Sequence, residues 1–335
     1  SSDLNMLRAL SDAVLADREV TSALAPALRT VMATEAAPVG PSAALWHALG
    51  DAWAADTSWA YWLCGVVRAL EPDRRWQRPA LYAASERRLA DYGRRLAQAR
   101  LDWEGAQRVY PAMAPEQRRQ AARQALRIAR DMAGRPCGVL GDRLAQYGGV
   151  RQLASEGRAH LRIIEIGSLF GGSCMLFLLA ARDAGATAEV ICIDPLQGYY
   201  GQPRDPLSGA EVTPRTLLGN VARLGLDTAQ VTLRRCLSSD PGAWAGLARE
   251  SIDLLMIDGD HSRAGVLSDW SNLSPLLRPG GVLIFDDYSP EHPGVIEAVD
   301  EIRAGLQGWC YLGCLGTSAV FRRNPCPGYE WSGSA

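Results

Sequence analysis

The sequence contains no lysine; all 35 of its basic residues are arginine. A Walker-type phosphate loop and a pyridoxal Schiff base each need a lysine, and a lysine general base is impossible here. Eight cysteines are present, yet no C-x-x-C pair occurs, so a zinc ribbon and a thioredoxin motif are both unsupported. Cys174 and Cys192 lie in apolar runs and read as small core residues. Cys310 and Cys314 share a face if that stretch is a strand, since both are of even number. No apolar run approaches the roughly 18 residues of a membrane span. The first residues, SSDLNMLRALSD, lack a basic flank before an apolar block, so no secretory signal is visible. The chain opens on Ser1 rather than Met, which suggests processing, trimming or excision from a longer protein. Basic residues are not in excess, since the net charge is −2. The expectation is a cytoplasmic protein without a nucleic-acid or membrane partner.

What is present is an ordinary globular balance, 47% hydrophobic and 21% charged, in 335 residues. That length suits one large domain or two modest ones. The pattern changes near residue 150. Before it, segments 4–17, 20–33, 43–70, 79–100, 115–133 and 139–155 carry apolar residues at helical spacing and predict an all-α N-terminal domain, 1–156. Six of the ten tryptophans, at 46, 53, 59, 62, 76 and 103, fall in it. They read either as core of a helical bundle or as an aromatic lid over a ligand. Arginines outnumber acids 20 to 16 before residue 151 and trail them 15 to 21 after it, an asymmetry compatible with docking of the halves or with a dimer.

From 157 to 324 short apolar runs alternate with helical segments. Strands are expected at 161–166, 190–194, 230–236, 252–258 and 281–286. Helices are expected at 172–184, 214–224, 241–249, 263–276 and 293–305. This alternation predicts an α/β domain with a parallel sheet and helices on both faces. Segments 308–314 and 317–323 read as a C-terminal antiparallel hairpin, and 325–335 as a tail.

The first strand runs into EIGSLFGGS, residues 165–173, where Gly167, Gly171 and Gly172 allow a sharp turn and close approach to a ligand. The following helix offers its N-terminal amides to an anion. The G-x-x-x-G-G spacing departs from the G-x-G-x-x-G of dinucleotide folds and argues against NAD. Asp194 ends the second strand, where a carboxylate can accept both ribose hydroxyls; the alternative is a turn-forming Asp before Pro195. The fourth strand ends in MIDGDH, residues 256–261, and the fifth in IFDDY, residues 284–288. Adjacent strands lie about 4.8 Å apart, so Asp258 and Asp286 or Asp287 can reach one hard cation such as magnesium. Both Asp286 and Asp287 bind only if the strand ends there. The competing reading makes these acids N-caps and loop residues, and His261 a surface histidine. Between Asp194 and the next helix lies a Gly- and Pro-rich loop whose Tyr199, Tyr200 and Arg204 are candidates to close over a substrate. His292 is a second-choice base or ligand.

These motifs resemble those of class I S-adenosylmethionine-dependent methyltransferases over residues 160–305. EIGSLFGGS resembles the first motif of that family, ICIDP the second, and LLRPGG the turn before the fifth strand. MIDGDH with FDDY is similar to the metal-dependent O-methyltransferase branch that acts on macrolide sugars, cephamycins and catechols. The resemblance implies a Rossmann-like sheet and S-adenosylmethionine as cofactor, bound by Glu165, Gly167, Ser168, Gly171, Ser173, Asp194, Ser238 and Asp258. It implies a divalent metal, magnesium by its ligands, at Asp258, Asp286 and Asp287. It places the general base at His261, where the catechol enzymes have a lysine, and so leans toward the sugar and natural-product relatives. The acceptor is then a small molecule: a sugar, a polyketide or a carrier-bound intermediate. The alternatives are a C-methyltransferase domain of a polyketide-type synthase and a non-catalytic binding protein on the same fold. The helical half is expected to line the acceptor pocket, to build a homo-oligomer, or both.

Overall fold

The computed structural model describes residues 102, 104–134, 138–199, 201–205 and 208–324. The expected helices between 4 and 100, the six early tryptophans, Tyr200 and the tail lie outside these residues. Helices α1 (Pro115–Asp131) and α2 (Leu140–Ser155) precede the alternating part. There follow β1 (His160–Ile166), α3 (Gly172–Asp183), β2 (Thr187–Ile193), α4 (Pro214–Arg223), β3 (Val231–Arg234), β4 (Ile252–Ile257) and α5 (Arg263–Leu273). The described residues close with β5 (Leu277–Phe285), α6 (Pro293–Gly305), β6 (Trp309–Leu315) and β7 (Ser318–Arg323).

The seven strands form one sheet in the order β3-β2-β1-β4-β5-β7-β6. The first five are parallel, and the β6–β7 hairpin adds an antiparallel edge. The parallel strands are near-continuous apolar runs because helices cover both of their faces. Alternate residues therefore enter different cores. Ile163, Val190, Leu254 and Val282 pack with α1, α2, α3 and α4 on one face. Ile164, Ile191, Leu255 and Leu283 pack with α5 and α6 on the other. Thus α1 and α2 share a core with the sheet itself.

Helix starts follow their sequence signals. Thr213 accepts from Thr216 N at 3.2 Å with Pro214 in the first turn, and Ser262 accepts from Gly265 N at 3.0 Å. Glycine matters most where α2 meets the hairpin turn. A Cβ on Gly141 would stand 2.0 Å from Gly316 N, so only glycine permits that approach.

Two expectations fail. Residues 241–249 are not an α-helix: a single 3-10 turn, Pro241–Ala243, is followed by turns. Ala243, Trp244 and Leu247 mimic helical spacing, but Gly246 adopts φ 75° and ends it. Cys310 and Cys314 do not share a face. A register shift between Tyr311 and Gly313 pairs Cys310 with Arg322 and Cys314 with Ala319, which have opposite parity on β7.

Candidate functional site

A cavity of about 570 Å³ opens at the carboxyl ends of β1, β2, β4 and β5. It sits where open α/β sheets take ligands, and its volume accommodates a nucleoside-sized molecule.

The β1–α3 loop forms its floor. Gly167 has φ 79°, and a Cβ there would lie 1.8 Å from the carbonyl oxygen of Asp258, so the turn is possible only with glycine. Leu169 and Leu196 also hold positive φ, 44° and 49°. Left-handed backbone costs a non-glycine residue about 1–2 kcal/mol. Asp194 offsets this by accepting from Ser168 N at 2.7 Å, Leu169 N at 3.0 Å and Leu196 N at 2.7 Å. Asp194 therefore braces the loop, with one lone-pair site left on Oδ1, and the residue lines the cavity. Glu165 is fully buried and accepts from Ser168 Oγ at 2.8 Å. Burial outweighs that bond and pushes its carboxyl up to about 7. Ser238 and Ser239 line the far end with Asp269, whose Oδ2 is buried without a partner among the described residues. Burial pushes the Asp269 carboxyl up to about 6.

The acids just beyond β4 and β5 line the cavity as well. The two strands are neighbours, and Asp286 N bonds Ile257 O at 3.0 Å, which aligns their ends. β5 stops at Phe285 and Asp287 turns to φ 56°, so Asp286 and Asp287 both reach the cavity wall beside Asp258. Burial, then the charges of Asp286, Asp287 and Glu165, hold the Asp258 carboxyl well above its usual range. Burial and Asp287 raise Asp286 in the same sense. His261 Nε2 lies 3.2 Å from Asp287 Oδ2 and 3.8 Å from Asp258 Oδ1. His292 Nε2 lies 3.6 Å from the same Asp287 oxygen, and the two imidazoles meet edge to face at 4.2 Å. The ligand atoms of His261, Asp287 and His292 all fall within 4.8 Å of one another. Burial, more than its charged neighbours, lowers the His261 imidazole and favours the neutral, proton-accepting form.

Such a concentration of carboxylates fits a divalent cation: the donors are hard oxygens, and their mutual repulsion is what a cation relieves. Asp286 Oδ1 is held by Ser318 Oγ at 2.8 Å. Ser318 Oγ also lies 3.3 Å from Oδ1 of the buried Asp142, which accepts from Thr317 N at 2.8 Å. Asp142 and Arg143 of α2 belong to this neighbourhood, and sequence reading missed both. Neither lies in a motif; only the packing of α2 against the sheet brings them in. The loop candidates sit differently. Tyr199 stacks on Phe170 at 6.3 Å, and Arg204 is exposed and paired with Glu211 at 2.5 Å; neither lines the cavity.

Residues 164–288 match the family model of a methyltransferase domain. An uncharacterised protein of Acanthamoeba polyphaga mimivirus is 29% identical over 155 residues, which is 45% of this chain and 63% of that protein. An uncharacterised protein of Sinorhizobium fredii (strain NBRC 101917 / NGR234) is 27% identical over 138 residues, 40% of this chain and 14% of that protein. The chain thus spans less than two thirds of either relative. Among solved structures, the O-methyltransferase NovP aligns with TM-score 0.43 and 20% identity over 54% of this chain and 80% of its own. A TDP-rhamnose 3'-O-methyltransferase of calicheamicin biosynthesis aligns with TM-score 0.37 and 16% identity over 52% of this chain and 76% of its own.

Proposed function

We propose that this chain, a class I S-adenosylmethionine-dependent methyltransferase by its domain, methylates a hydroxyl of a small molecule, a sugar or another natural product, with the help of a divalent metal. The observation that carries the proposal is the placing of Asp258, Asp286 and Asp287 on the cavity wall, with His261 Nε2 3.8 Å from Asp258 and 3.2 Å from Asp287. The cofactor supplies an electrophilic methyl group, and the metal, magnesium by its donor set, supplies polarisation of the acceptor hydroxyl. Asp258, Asp286 and Asp287 would hold the ion. His261, kept neutral by burial, takes the proton that the hydroxyl loses as its oxygen forms the new bond to carbon and the carbon–sulfur bond breaks. Asp287, 3.2 Å away, steadies the imidazolium that results. The β1–α3 loop and Ser238 hold the cofactor, and the rest of the cavity wall excludes water.

The test is methyl transfer from S-adenosylmethionine to a panel of vicinal-diol sugars and hydroxylated polyketides. Activity that EDTA abolishes and magnesium restores supports the reading. Transfer indifferent to EDTA overturns the metal, and transfer only to carbon of a carrier-bound acyl chain overturns the acceptor.

A further inference from the structure

His261 and His292 come from different elements, and the backbone brings them together. β5 ends at Phe285 and Asp287 turns to φ 56°. The chain then folds back: Ser289 N bonds Asp287 O at 2.8 Å and His292 N bonds Ser289 O at 2.9 Å, which returns His292 to Asp287 just before α6. Gly294, in the first turn of α6, seats that helix on the loop after β4. A Cβ there would stand 2.6 Å from the His261 carbonyl oxygen and 2.8 Å from Arg263 N. Two of the four histidines of the chain therefore approach one carboxylate.

The spacing of the donors is that of a coordination sphere. Nε2 of His261 and Nε2 of His292 lie 3.2 and 3.6 Å from the same oxygen, Asp287 Oδ2. Around tetrahedral zinc, with bonds of about 2.0–2.1 Å, neighbouring donors stand about 3.4 Å apart. The two measured edges bracket that figure, and the donor atoms of all three residues fall within 4.8 Å of one another. The His292 contact is too long for a hydrogen bond and right for two ligands of one ion. All three side chains keep between 21% and 32% of their surface, so an ion can enter from solvent. Two imidazole nitrogens and one carboxylate suit a borderline dication such as zinc, whereas Asp258 and Asp286 offer only hard oxygen.

We infer that His261, Asp287 and His292 form a second cation site, selective for zinc over magnesium, through which zinc shuts off methyl transfer. Zinc takes the lone pair of His261 Nε2, which then cannot accept the proton of the acceptor hydroxyl. The inhibition rests on the reading above of His261 as the base; the site itself rests on the donor geometry. His292 separates the two cation sites, because it belongs to the nitrogen-bearing set and not to the three aspartates.

Calorimetric titration of the full chain with zinc and, separately, with magnesium tests the site. His292→Gln is expected to weaken zinc about 10-fold or more, since even outer partners of a bound metal are worth that much. Magnesium affinity should not move with it. Equal weakening of both ions, or unchanged zinc affinity, overturns the inference. If His292→Gln does not fold, X-ray absorption of the zinc-loaded, unaltered chain decides: two imidazoles around zinc support the site, and one or none refutes it. For the inhibition, zinc is added to the magnesium-supplied enzyme. Methyl transfer should fall, and His292→Gln should need about 10-fold more zinc for the same fractional loss of its own rate. Zinc held by both imidazoles with transfer unslowed overturns the inhibition. Zinc held by both imidazoles in a chain that transfers no methyl group with magnesium alone supports the site and overturns the function reading instead.

Discussion

Strand β4 carries a buried aspartate near its start and a half-buried one just past its end, and the two are treated in opposite ways. Asp253 is fully buried, pairs with Arg158 and with Arg278 at 3.2 Å, and accepts from Arg162 N at 2.8 Å. Asp258 stands five positions on with no arginine ion pair among the described residues; acids and a histidine surround it. One strand therefore has a neutralised end and a charged end. The difference teaches where to look for chemistry: at the amino end of this strand the acid is paired with arginines, and at its carboxyl end, on the cavity wall, it is not.

Four experiments would break or sharpen that contrast. The largest effect belongs to the charged end. His261→Ala should lower kcat by about 10²–10⁴, the usual worth of a positioned general base, with the melting temperature little changed. A drop below tenfold would remove His261 from the proton transfer. At the neutralised end, Asp253→Ala should cost about 3 kcal/mol in denaturant unfolding, because it strands two partly buried arginines. Those molecules that remain folded should bind S-adenosylhomocysteine normally. Asp258→Asn should do the reverse, raising stability in metal-free buffer by about 1 kcal/mol through relief of repulsion, while methyl transfer is lost. An Asp258→Asn protein less stable than the parent would erase the contrast.

The smallest effect is a pH dependence at Glu165. Its carboxyl rises from 4.5 to about 7 on folding. The folded state then keeps a proton that the unfolded state releases, so this contribution to stability is whole below about pH 4.5 and is lost as pH climbs to about 7. Glu165→Gln should match the parent in melting temperature at pH 4 and exceed it at pH 8. Parallel melting curves across that range would show that Glu165 ionises without penalty.

The sheet is legible in the sequence because strands buried on both faces advertise themselves as unbroken apolar runs; LRIIEI and IDLLMI need no context to be read. The acids at the strand ends are legible for the same reason, since the point where an apolar run breaks off marks the polar residues just beyond it. Segment 241–249 misleads because apolar spacing carries no information about the φ of Gly246. The bulge at 312 is hidden because a single extra residue changes the face of everything beyond it without altering composition. Asp194 reads as a ribose acceptor in sequence, and its three amide donors depend on loop geometry that no spacing encodes. Arg143 is the clearest case of an illegible residue: on α2 it is one arginine among many, and only the fold sets it against Ser173.

The hydroxyl of Ser318 has a single hydrogen to give, and two acids, Asp286 from the sheet and Asp142 from the preceding helix, stand within reach of it. Gly141 and Gly316 bring their backbones together just beside it. The last hairpin is therefore a latch joining the start of the described chain to the rim of the reaction chamber. A lesion in that remote turn, far along the sequence from every motif, would be felt first as a misplaced carboxylate rather than as a loosened edge.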